Sequence, residues 1–392
     1  MRILLVSQAL TPQYGGSAFS ESSLSGGLIR AKDDVTVLCR QGCFDLDFVN
    51  RFGDIPVESY RAWEWIGAWL KRAHPLRKKI RATDLVHLNG HWRWENYFIA
   101  RVCVSESKPY VLQPRGMLWL GHRKIWLKRI FQLFLGRYIL KNAQRIVALS
   151  VFELEHWNRY GFRDSQLVVM PNGVVGAEVA VAKERATELP TAMSGYFLYL
   201  GRLESRKNLL FLISAFRDYR RRGGKAELWL VGPAERKYDE VLRKAVLRLG
   251  LTSHVRVMAP VFTAAKADLM KNSIALVYPA VEEPFGRVPF EGLDAGAFPV
   301  IPTRSGSAEY IRPFLPEAIY EVDNQQSLTS ALSRLERPDT ERDARREKAQ
   351  DWVQQELNWE RMTERYQDLY RSAVHDFSRG NGRDGNPAPL SS

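Results

Sequence analysis

Short apolar segments alternate with longer helical patterns along the chain. In the first half the apolar segments are Ile3–Val6, Val35–Leu38, Leu85–Leu88, Tyr110–Leu112 and Arg145–Leu149. In the second half they are Phe197–Leu200, Glu227–Val231, Val255–Met258, Ile274–Tyr278 and Phe298–Ile301. Strands that alternate with helices in this way are typical of parallel sheets covered by helices on both faces. The pattern therefore predicts an α/β fold.

The alternation of strands and helices restarts after a stretch rich in Pro, Gly and Ala between positions 171 and 195. We expect two doubly wound, Rossmann-like domains, at 1–172 and 196–350, joined by a linker at 173–195. A helix at 351–372 is expected to cross back to the first domain. The polar tail at 373–392 is rich in Gly and Pro, which predicts disorder. Two such domains facing each other would bind ligands in the cleft between them.

Length and composition agree with two domains. A chain of 392 residues with 45% hydrophobic residues can form two ordinary cores. Three cysteines (Cys39, Cys43 and Cys103) provide neither a paired disulfide framework nor metal-ligand spacing, which favours a reducing compartment. The amino terminus is interpreted as a buried strand rather than a signal peptide, and no apolar run has the length of a membrane span. We expect a cytoplasmic protein.

A net charge of +13 predicts an anionic partner. The stretch 107–152 has nine Lys or Arg residues and no acid, and it includes an apolar stripe formed by Trp126, Ile130, Leu133 and Phe134. A second basic stretch, 62–82, contains Trp63, Trp65 and Trp69. Two interpretations are open: helices that pack on the core with solvated basic faces, or a surface for anionic lipid. Neither stretch has a nucleic-acid-binding motif, so no nucleic acid partner is expected.

The segment EEPFGRVPFEGL places two carboxylates, Glu283 and Glu291, eight positions apart in a strand-to-helix region. Carboxylates in such places accept hydrogen bonds from sugar hydroxyls. Amide groups beside Gly286, at the start of a helix, would add donors for anionic or hydroxyl oxygens. A pair of glutamates alone is more typical of a solvated helix face. This segment therefore indicates a sugar-binding site only in combination with other motifs.

A second segment, GRLESRKN, follows the strand that ends near Leu200. Arg202 presents a planar fork for two phosphate oxygens, and Lys207 presents a compact charge near a helix start. The pair is therefore a candidate pyrophosphate site.

Together, GRLESRKN, VGPAE, EEPFGRVPFEGLDAGAFPVI and SGSAEYI resemble the retaining glycosyltransferases of family 4, which have the two-domain GT-B fold. In the first half, Gly15-Gly16, VHLNGHW, KPYVLQPRGML, ALSVFE and VVMPNGV agree with that family in order and spacing. The resemblance covers roughly residues 1–372 and is nearest to bacterial enzymes that build exopolysaccharide, capsule or lipopolysaccharide O-chains.

The resemblance implies a role for each matching residue. Glu283 would bind hydroxyls of the donor sugar, and Glu291 would hold the ribose of the nucleotide. Arg202 and Lys207 would bind the diphosphate and stabilise it as it leaves, so that neither a metal nor another cofactor is implied. The matching donor-binding positions also include Gly15, Gly16, Arg115, Phe285, Gly286 and Arg287.

The sequence departs from the usual family pattern at three positions. Asn89 and Arg115 stand where many relatives have histidines, and Ser307 interrupts an expected glycine pair. His91 and His122 are candidates to replace the missing histidine as donor or acceptor contacts.

The resemblance implies transfer from a nucleotide diphosphate sugar, of UDP or GDP type, to a saccharide acceptor. A polyprenyl-diphosphate-linked acceptor and an anionic membrane surface would suit the basic first domain. Two other classes remain open. One is another enzyme on the same fold. A reaction without an acceptor would indicate an epimerase, and a bound pyridoxal group would indicate a phosphorylase. The other is a non-catalytic protein that binds membrane or nucleic acid. Such a protein would need neither the two glutamates nor the Arg/Lys pair.

Overall fold

The computed structural model describes residues 1–118, 125–155, 157, 160, 162–174, 195–261 and 263–383. The chain divides into two compact units. The first unit is Met1–Gly173 with Trp359–Ser392, and the second is Val174–Asn358. The predicted linker at 173–195 lies mostly outside the described residues.

The first unit contains a seven-stranded parallel sheet in the order β3-β2-β1-β4-β5-β6-β7. Its strands are β1 Arg2–Ser7, β2 Asp34–Arg40, β3 Val57–Tyr60, β4 Leu85–Asn89, β5 Tyr110–Gln113, β6 Arg145–Ala148 and β7 Leu167–Val169. Strands β4 and β5 are buried along their whole length, including the polar residues His87, Asn89 and Gln113. The order reverses direction at β1 and β4, which is where Rossmann folds bind ligands.

The second unit contains a six-stranded parallel sheet in the order β10-β9-β8-β11-β12-β13. Its strands are β8 Tyr196–Leu200, β9 Glu227–Val231, β10 Val255–Met258, β11 Ala275–Val277, β12 Pro299–Pro302 and β13 Ile319–Tyr320. The order reverses at β8 and β11. All the strands predicted from apolar segments are present to within two residues, and the prediction of two Rossmann-like domains is confirmed.

Helices connect successive strands in both units. In the first unit they are α1 Gly16–Arg30, α2 Leu46–Val49, α3 Glu64–Leu70, α4 Pro75–Ala82, α5 Trp94–Ser105, α6 Ile125–Phe131, α7 Arg137–Asn142 and α8 Val151–Glu155. In the second they are α9 Leu209–Arg221, α10 Tyr238–Arg248, α11 Thr263–Lys271, α12 Arg287–Asp294, α13 Gly306–Ile311, α14 Gln325–Leu335 and α15 Thr340–Glu356. Helix α9 is typical, since Leu209, Leu212, Ile213 and Phe216 recur at helical spacing and are buried.

The carboxyl-terminal part of the chain corrects two predictions. The boundary expected at 350 falls inside α15, which stays with the second unit because Ala349 and Val353 are buried and α15 packs against α12. A last helix, α16 Trp359–Arg383, belongs to the first unit. Residues 373–383 of the predicted disordered tail are therefore helical, and 384–392 lie outside the described residues. Tyr366, Tyr370 and Ala373, at helical spacing, are buried and tie this helix to the core. Among the described residues, no helix combines the length and apolar character that crossing a membrane requires.

Candidate active site

The carboxyl ends of the adjacent strands β8 and β11 carry most of the predicted residues of the second unit. Gly201 follows β8 with φ +148°, and Gly232 follows β9 with φ +151°. A Cβ on Gly232 would overlap the carbonyl oxygen of Gly201, so the two turns touch through their backbones. The short 3₁₀ helix Ser205–Lys207 begins four residues beyond this turn.

Lys207 lies at the centre of this group of residues. Its Nζ donates to the hydroxyl of Tyr278 at 2.9 Å and to Oε2 of Glu283 at 2.6 Å. Burial by itself would lower the pKa of Lys207, but the Glu283 carboxylate and the Tyr278 oxygen outweigh it and raise the pKa above its usual value. Lys207 is therefore a permanent cation, although its side chain is almost buried.

Glu283 keeps part of its carboxylate accessible, since its side chain is 29% exposed. Its backbone is fixed by a bridge to Ser305, with the amide of Gly306 donating to the Glu283 carbonyl at 2.8 Å. The Oγ atoms of Ser305 and Ser307 lie 2.8 Å apart beside this bridge. The carboxylate is thus held between a buried cation and an exposed surface, where a hydroxyl group can reach it.

Helix α12 begins at the predicted Phe285-Gly286 turn. Gly286 has φ +68° and precedes the first residue of the helix, so glycine suits this position. Phe285 is buried and stacks on Phe290 with ring centroids 4.7 Å apart, which fixes the turn to the core. A helix start held in this way presents amide groups with a positive partial charge.

Glu291 lies one turn into α12, between two cations. Its Oε2 accepts from Nζ of Lys266 at 2.8 Å, and its Oε1 lies 3.2 Å from Nη2 of Arg287. Burial alone would raise the pKa of Glu291, but the two cations outweigh it and lower the pKa to about 2. The carboxylate is therefore ionised at every physiological pH and remains an acceptor.

Arg202 differs from Lys207 in its environment. Its side chain is 53% exposed, and its Nη2 lies 3.5 Å from Oε1 of the buried Glu204. Its carbonyl accepts from the hydroxyl of Tyr199 at 2.8 Å, which holds the backbone while the guanidinium extends toward solvent. Arg202 is therefore a half-exposed cation beyond the end of β8, in contrast to the nearly buried Lys207.

In the first unit, the glycine pair follows β1 as predicted. Gly15 has φ +75°, and a Cβ added at this position would meet no atom within 4 Å. Backbone conformation rather than space therefore requires glycine here. Gly16 begins helix α1. The same helix carries Glu21, whose carboxylate accepts from the hydroxyl of Ser7 at the end of β1.

Asn89 and Arg115, which stand in place of the family histidines, contact each other. Nε of Arg115 donates to Oδ1 of Asn89 at 2.8 Å and lies 3.3 Å from Oε1 of Glu21, and Nη1 donates to Oδ1 of Asn172 at 3.4 Å. Burial raises the pKa of Glu21, and the Arg115 guanidinium and the Ser7 hydroxyl oppose that shift. The first unit therefore holds a buried ion pair near the end of β1 and β4.

The two histidine candidates do not join this network in the described residues. His91 is buried among Trp92 and Phe131, and its Nε2 lies 2.8 Å from Oε1 of Gln132. Burial lowers the pKa of His91 to about 4, so the ring is neutral at pH 7. These contacts give it a packing role in this structure. His122 lies outside the described residues.

Three side chains that contact the candidate residues have no signal of their own in the sequence. Tyr278, directly after β11, is visible there only as the last residue of an apolar segment. Lys266 and Glu21 lie on the helices α11 and α1, where charged residues are ordinary. Each of the three contacts a candidate residue that is distant along the chain. Tyr278 contacts Lys207, Lys266 contacts Glu291, and Glu21 contacts Arg115.

Two family models match the sequence. The model described as glycosyl transferases group 1 matches residues 181–352, and the model described as glycosyltransferase family 4 matches residues 14–175. No curated protein sequence matches the chain.

Solved structures share the fold over nearly the whole chain. Anabaena Alr3699/HepE in complex with UDP has a TM-score of 0.75 at 18% identity, covering 95% of this chain and 100% of that one. HepE has also been solved in complex with UDP-glucose. A glycosyltransferase from Rickettsia africae ESF-5 has a TM-score of 0.73 at 14% identity, covering 95% and 98%.

WaaG, a glycosyltransferase involved in lipopolysaccharide biosynthesis, has a TM-score of 0.65 at 16% identity, covering 94% of this chain and 99% of that one. At these identities the likeness establishes the fold, and the two family models, which between them span both units, establish the class. The chain therefore belongs to the group 1, family 4 glycosyltransferases, with the two Rossmann-like domains of the GT-B fold.

Proposed function

We propose that this glycosyltransferase moves a sugar, with retention of anomeric configuration, from a nucleotide diphosphate sugar to a saccharide acceptor. The observation that carries the proposal is the network of Lys207, Tyr278 and Glu283 at the ends of β8 and β11. It combines a buried permanent cation with a carboxylate that remains partly exposed. Those are the groups that a diphosphate and a sugar hydroxyl require.

Each part of a donor has a partner in the second unit. We assign the diphosphate to Lys207, with exposed Arg202 closing over it. Two of the three N–H donors of the Lys207 ammonium bind Tyr278 and Glu283, and the third is assigned to a phosphate oxygen. The donor sugar hydroxyls are assigned to Glu283 and to the amides at Phe285 and Gly286. The ribose is assigned to Glu291, which Lys266 and Arg287 keep ionised.

The reaction needs charge stabilisation more than acid–base groups. As the bond between the anomeric carbon and the phosphate oxygen breaks, the sugar becomes oxocarbenium-like, and Lys207 and Arg202 stabilise the departing diphosphate. The acceptor oxygen bonds to the anomeric carbon from the same face, and its proton passes to the departing phosphate oxygen. In this scheme the two cations perform the electrostatic task without a divalent metal. Activity that persists in a chelator is the expected result.

The ligands of a similar structure support a UDP donor, and the resemblance in sequence leaves a GDP donor open. HepE was crystallised with UDP and with UDP-glucose, and its fold matches this chain over its full length. We extend that donor class to this protein, because the residues described above provide acceptors for a ribose and cations for a diphosphate. Gly15, Gly16 and the Arg115–Asn89 pair are proposed to serve the donor or acceptor from the first unit.

A lipid-linked acceptor at the cytoplasmic face of a membrane is the further part of the proposal. WaaG, which shares the fold, is involved in lipopolysaccharide biosynthesis. The net charge of +13 also suits an acceptor attached to a polyprenyl diphosphate in an anionic membrane. We therefore propose a role in cell-surface polysaccharide biosynthesis, with the protein peripherally bound to the membrane.

Thermal-shift measurements against UDP-, GDP-, dTDP- and ADP-sugars test the donor assignment. A ligand at 100 times its dissociation constant adds about 2.7 kcal/mol to the free energy of unfolding. We expect a shift with a UDP- or GDP-sugar that Lys207→Ala reduces and Lys271→Ala, an exposed lysine of the same unit, leaves unchanged. With the donor known, NMR of the product should show a retained anomeric configuration. An inverted product would refute the retaining part of the proposal, and no shift with any nucleotide sugar would refute the donor class.

A further inference from the structure

Large apolar side chains are exposed along the segment that was predicted to form an apolar stripe. Helix α6 continues through a π-helical segment, Gln132–Gly136, into α7. Trp126 is 64% exposed and Phe134 is 68% exposed, and Leu127, Ile130 and Leu133 are exposed as well. The stripe therefore does not pack into the core of the described protein. The segment contacts the core instead through Phe131, Ile139 and Leu140, so its helices pack on the core while the predicted stripe stays exposed.

A second exposed apolar group lies at helix α3. Trp63 precedes the helix, Ile66 and Leu70 lie on it, and Trp94 begins α5. We call these four residues, together with Trp126, Leu127, Ile130, Leu133 and Phe134, the apolar face. Of the sixteen large apolar side chains exposed among the described residues, nine belong to the apolar face, and these nine include every Trp, Phe and Ile. The others are Leu and Val residues at scattered positions.

The helices that carry the apolar face form one layer. Trp69 of α3 contacts Phe98 of α5 with ring centroids 5.5 Å apart, and Tyr97 of α5 contacts Tyr138 of α7 at 5.4 Å. Arg101 of α5 lies over the rings of Trp69 and Tyr138, at 5.3 and 5.1 Å. The exposed groups on α3, α5 and α6 are thus held in place by a shared, packed layer beneath them.

The charge around the apolar face is mostly positive, although Glu64 begins α3 beside Trp63. Residues 125–142 include Lys128, Arg129, Arg137 and Lys141 and no acid, and Lys71 and Arg72 follow α3 directly. Soluble monomers rarely expose many large apolar side chains on neighbouring helices unless these side chains bind something. A second copy of the chain is a poor partner, because a two-fold interface would bring these cations together. An anionic bilayer provides both the opposite charge and the apolar interior.

We propose that the apolar face inserts into the headgroup and upper acyl region of an anionic bilayer, with the flanking cations on acidic headgroups. Exposed Trp and Phe side chains on helices that also carry Lys and Arg match the composition of interfacial helices. This inference gives the membrane of the proposed function a docking surface, and it rests on that proposal for the choice of partner. The inference adds the mode of binding to that proposal. Apolar side chains insert into the bilayer, and charge alone does not hold the protein there.

Vesicle flotation with the full-length protein tests the inference. The vesicles contain phosphatidylcholine with phosphatidylglycerol as the anionic lipid. The test variant is Trp126→Ser with Phe134→Ser, two exposed positions where substitution leaves the fold intact. The matched control is Val241→Ser with Leu247→Ser, two exposed apolar residues of α10 in the second unit.

We expect the wild-type protein and the control to float with the vesicles at physiological salt. At about 1 M salt, where the screening length is roughly 3 Å, part of the binding should remain, since apolar contacts are not screened. The test variant should partition at least tenfold more weakly at either salt concentration. Equal flotation of the test variant and the wild type would overturn the inference, and so would complete release of the wild type by salt.

Two further measurements distinguish membrane insertion from dimerisation and from a change at the donor site. If the wild type is a dimer without vesicles and the test variant is a monomer, the apolar face is an interface between copies and the inference is wrong. The thermal shift with the nucleotide sugar should be the same in both proteins. If no nucleotide sugar gives a shift while flotation behaves as expected, the proposed donor fails and the membrane surface stands.

Discussion

The carboxylate of Glu291 offers a quantitative test of the electrostatics of the second unit. It lies 2.8 Å from the Lys266 ammonium and 3.2 Å from the Arg287 guanidinium, and its side chain is 18% exposed. Glu291→Gln keeps the shape of the side chain and removes its charge. The two cations then lose their shared partner, so the second unit should become less stable.

The magnitude follows from the pKa of Glu291. Folding lowers it from 4.5 to about 2, a difference of about 2.5 units, and each unit corresponds to about 1.36 kcal/mol. The ionised form therefore contributes at most about 3 kcal/mol to the free energy of unfolding. Because the folded pKa is the lower one, this contribution is complete above pH 4.5 and is lost as the pH falls through about 2. Glu291→Gln should thus be destabilising at pH 7 and nearly neutral near pH 2.

Pulsed hydrogen exchange along a urea series, measured on peptides from β11 and β12, follows the unfolding of the second unit by itself. The control is Glu240→Gln, an exposed glutamate that lies 3.6 Å from the exposed Lys237, for which we expect a change within about 0.5 kcal/mol. Equal stability of Glu291→Gln and wild type at pH 7 would refute the reasoning. A loss of stability that stays constant down to pH 2 would refute the assignment of that loss to the ion pairs.

Three other substitutions have clear expected outcomes. Lys207→Ala should lower kcat about 10²-fold or more in a transfer assay, because it removes a charge held in position for the departing diphosphate; a change smaller than threefold would contradict its role. Gly232→Ala should lower the melting temperature strongly, because its Cβ overlaps the Gly201 carbonyl oxygen, whereas Gly223→Ala, at φ +90° with open space around it, should cost only about 1–2 kcal/mol. Glu21→Ala should cost about 3–5 kcal/mol in denaturant unfolding, because it leaves the Arg115 guanidinium buried without its carboxylate. Adding Arg115→Met should restore part of that loss, and a strictly additive double mutant would show that the two residues are not coupled.

The fold is predictable where strands are central and buried. The three strands that no apolar segment predicts, β3, β7 and β13, each lie at the edge of a sheet. Glu58 and Ser59 of β3 are exposed, and β13 is only two residues long, so neither forms an apolar segment. The extension of the last helix to Arg383 is also not predictable. The buried residues Tyr366, Tyr370 and Ala373 have helical spacing, but the sequence around them is polar and contains Gly.

The sequence identifies individual residues of the site but not the contacts between their side chains. The motifs identify Lys207 and Glu283 separately, yet these residues are 76 positions apart, and only the pairing of β8 with β11 brings their side chains within 2.6 Å. Their shared partner Tyr278 has no motif of its own. Similarly, Arg115 is visible as a departure from the family pattern, whereas its counter-ion Glu21 depends on how α1 packs beside the end of β1.

A crystal structure with the nucleotide sugar identified by thermal shift tests the central claim most directly. We predict electron density for the diphosphate within hydrogen-bond distance of Lys207 and Arg202, for sugar hydroxyls at Glu283, and for the ribose at Glu291. A donor bound with its diphosphate away from Lys207, or with its ribose away from Glu291, would contradict the account.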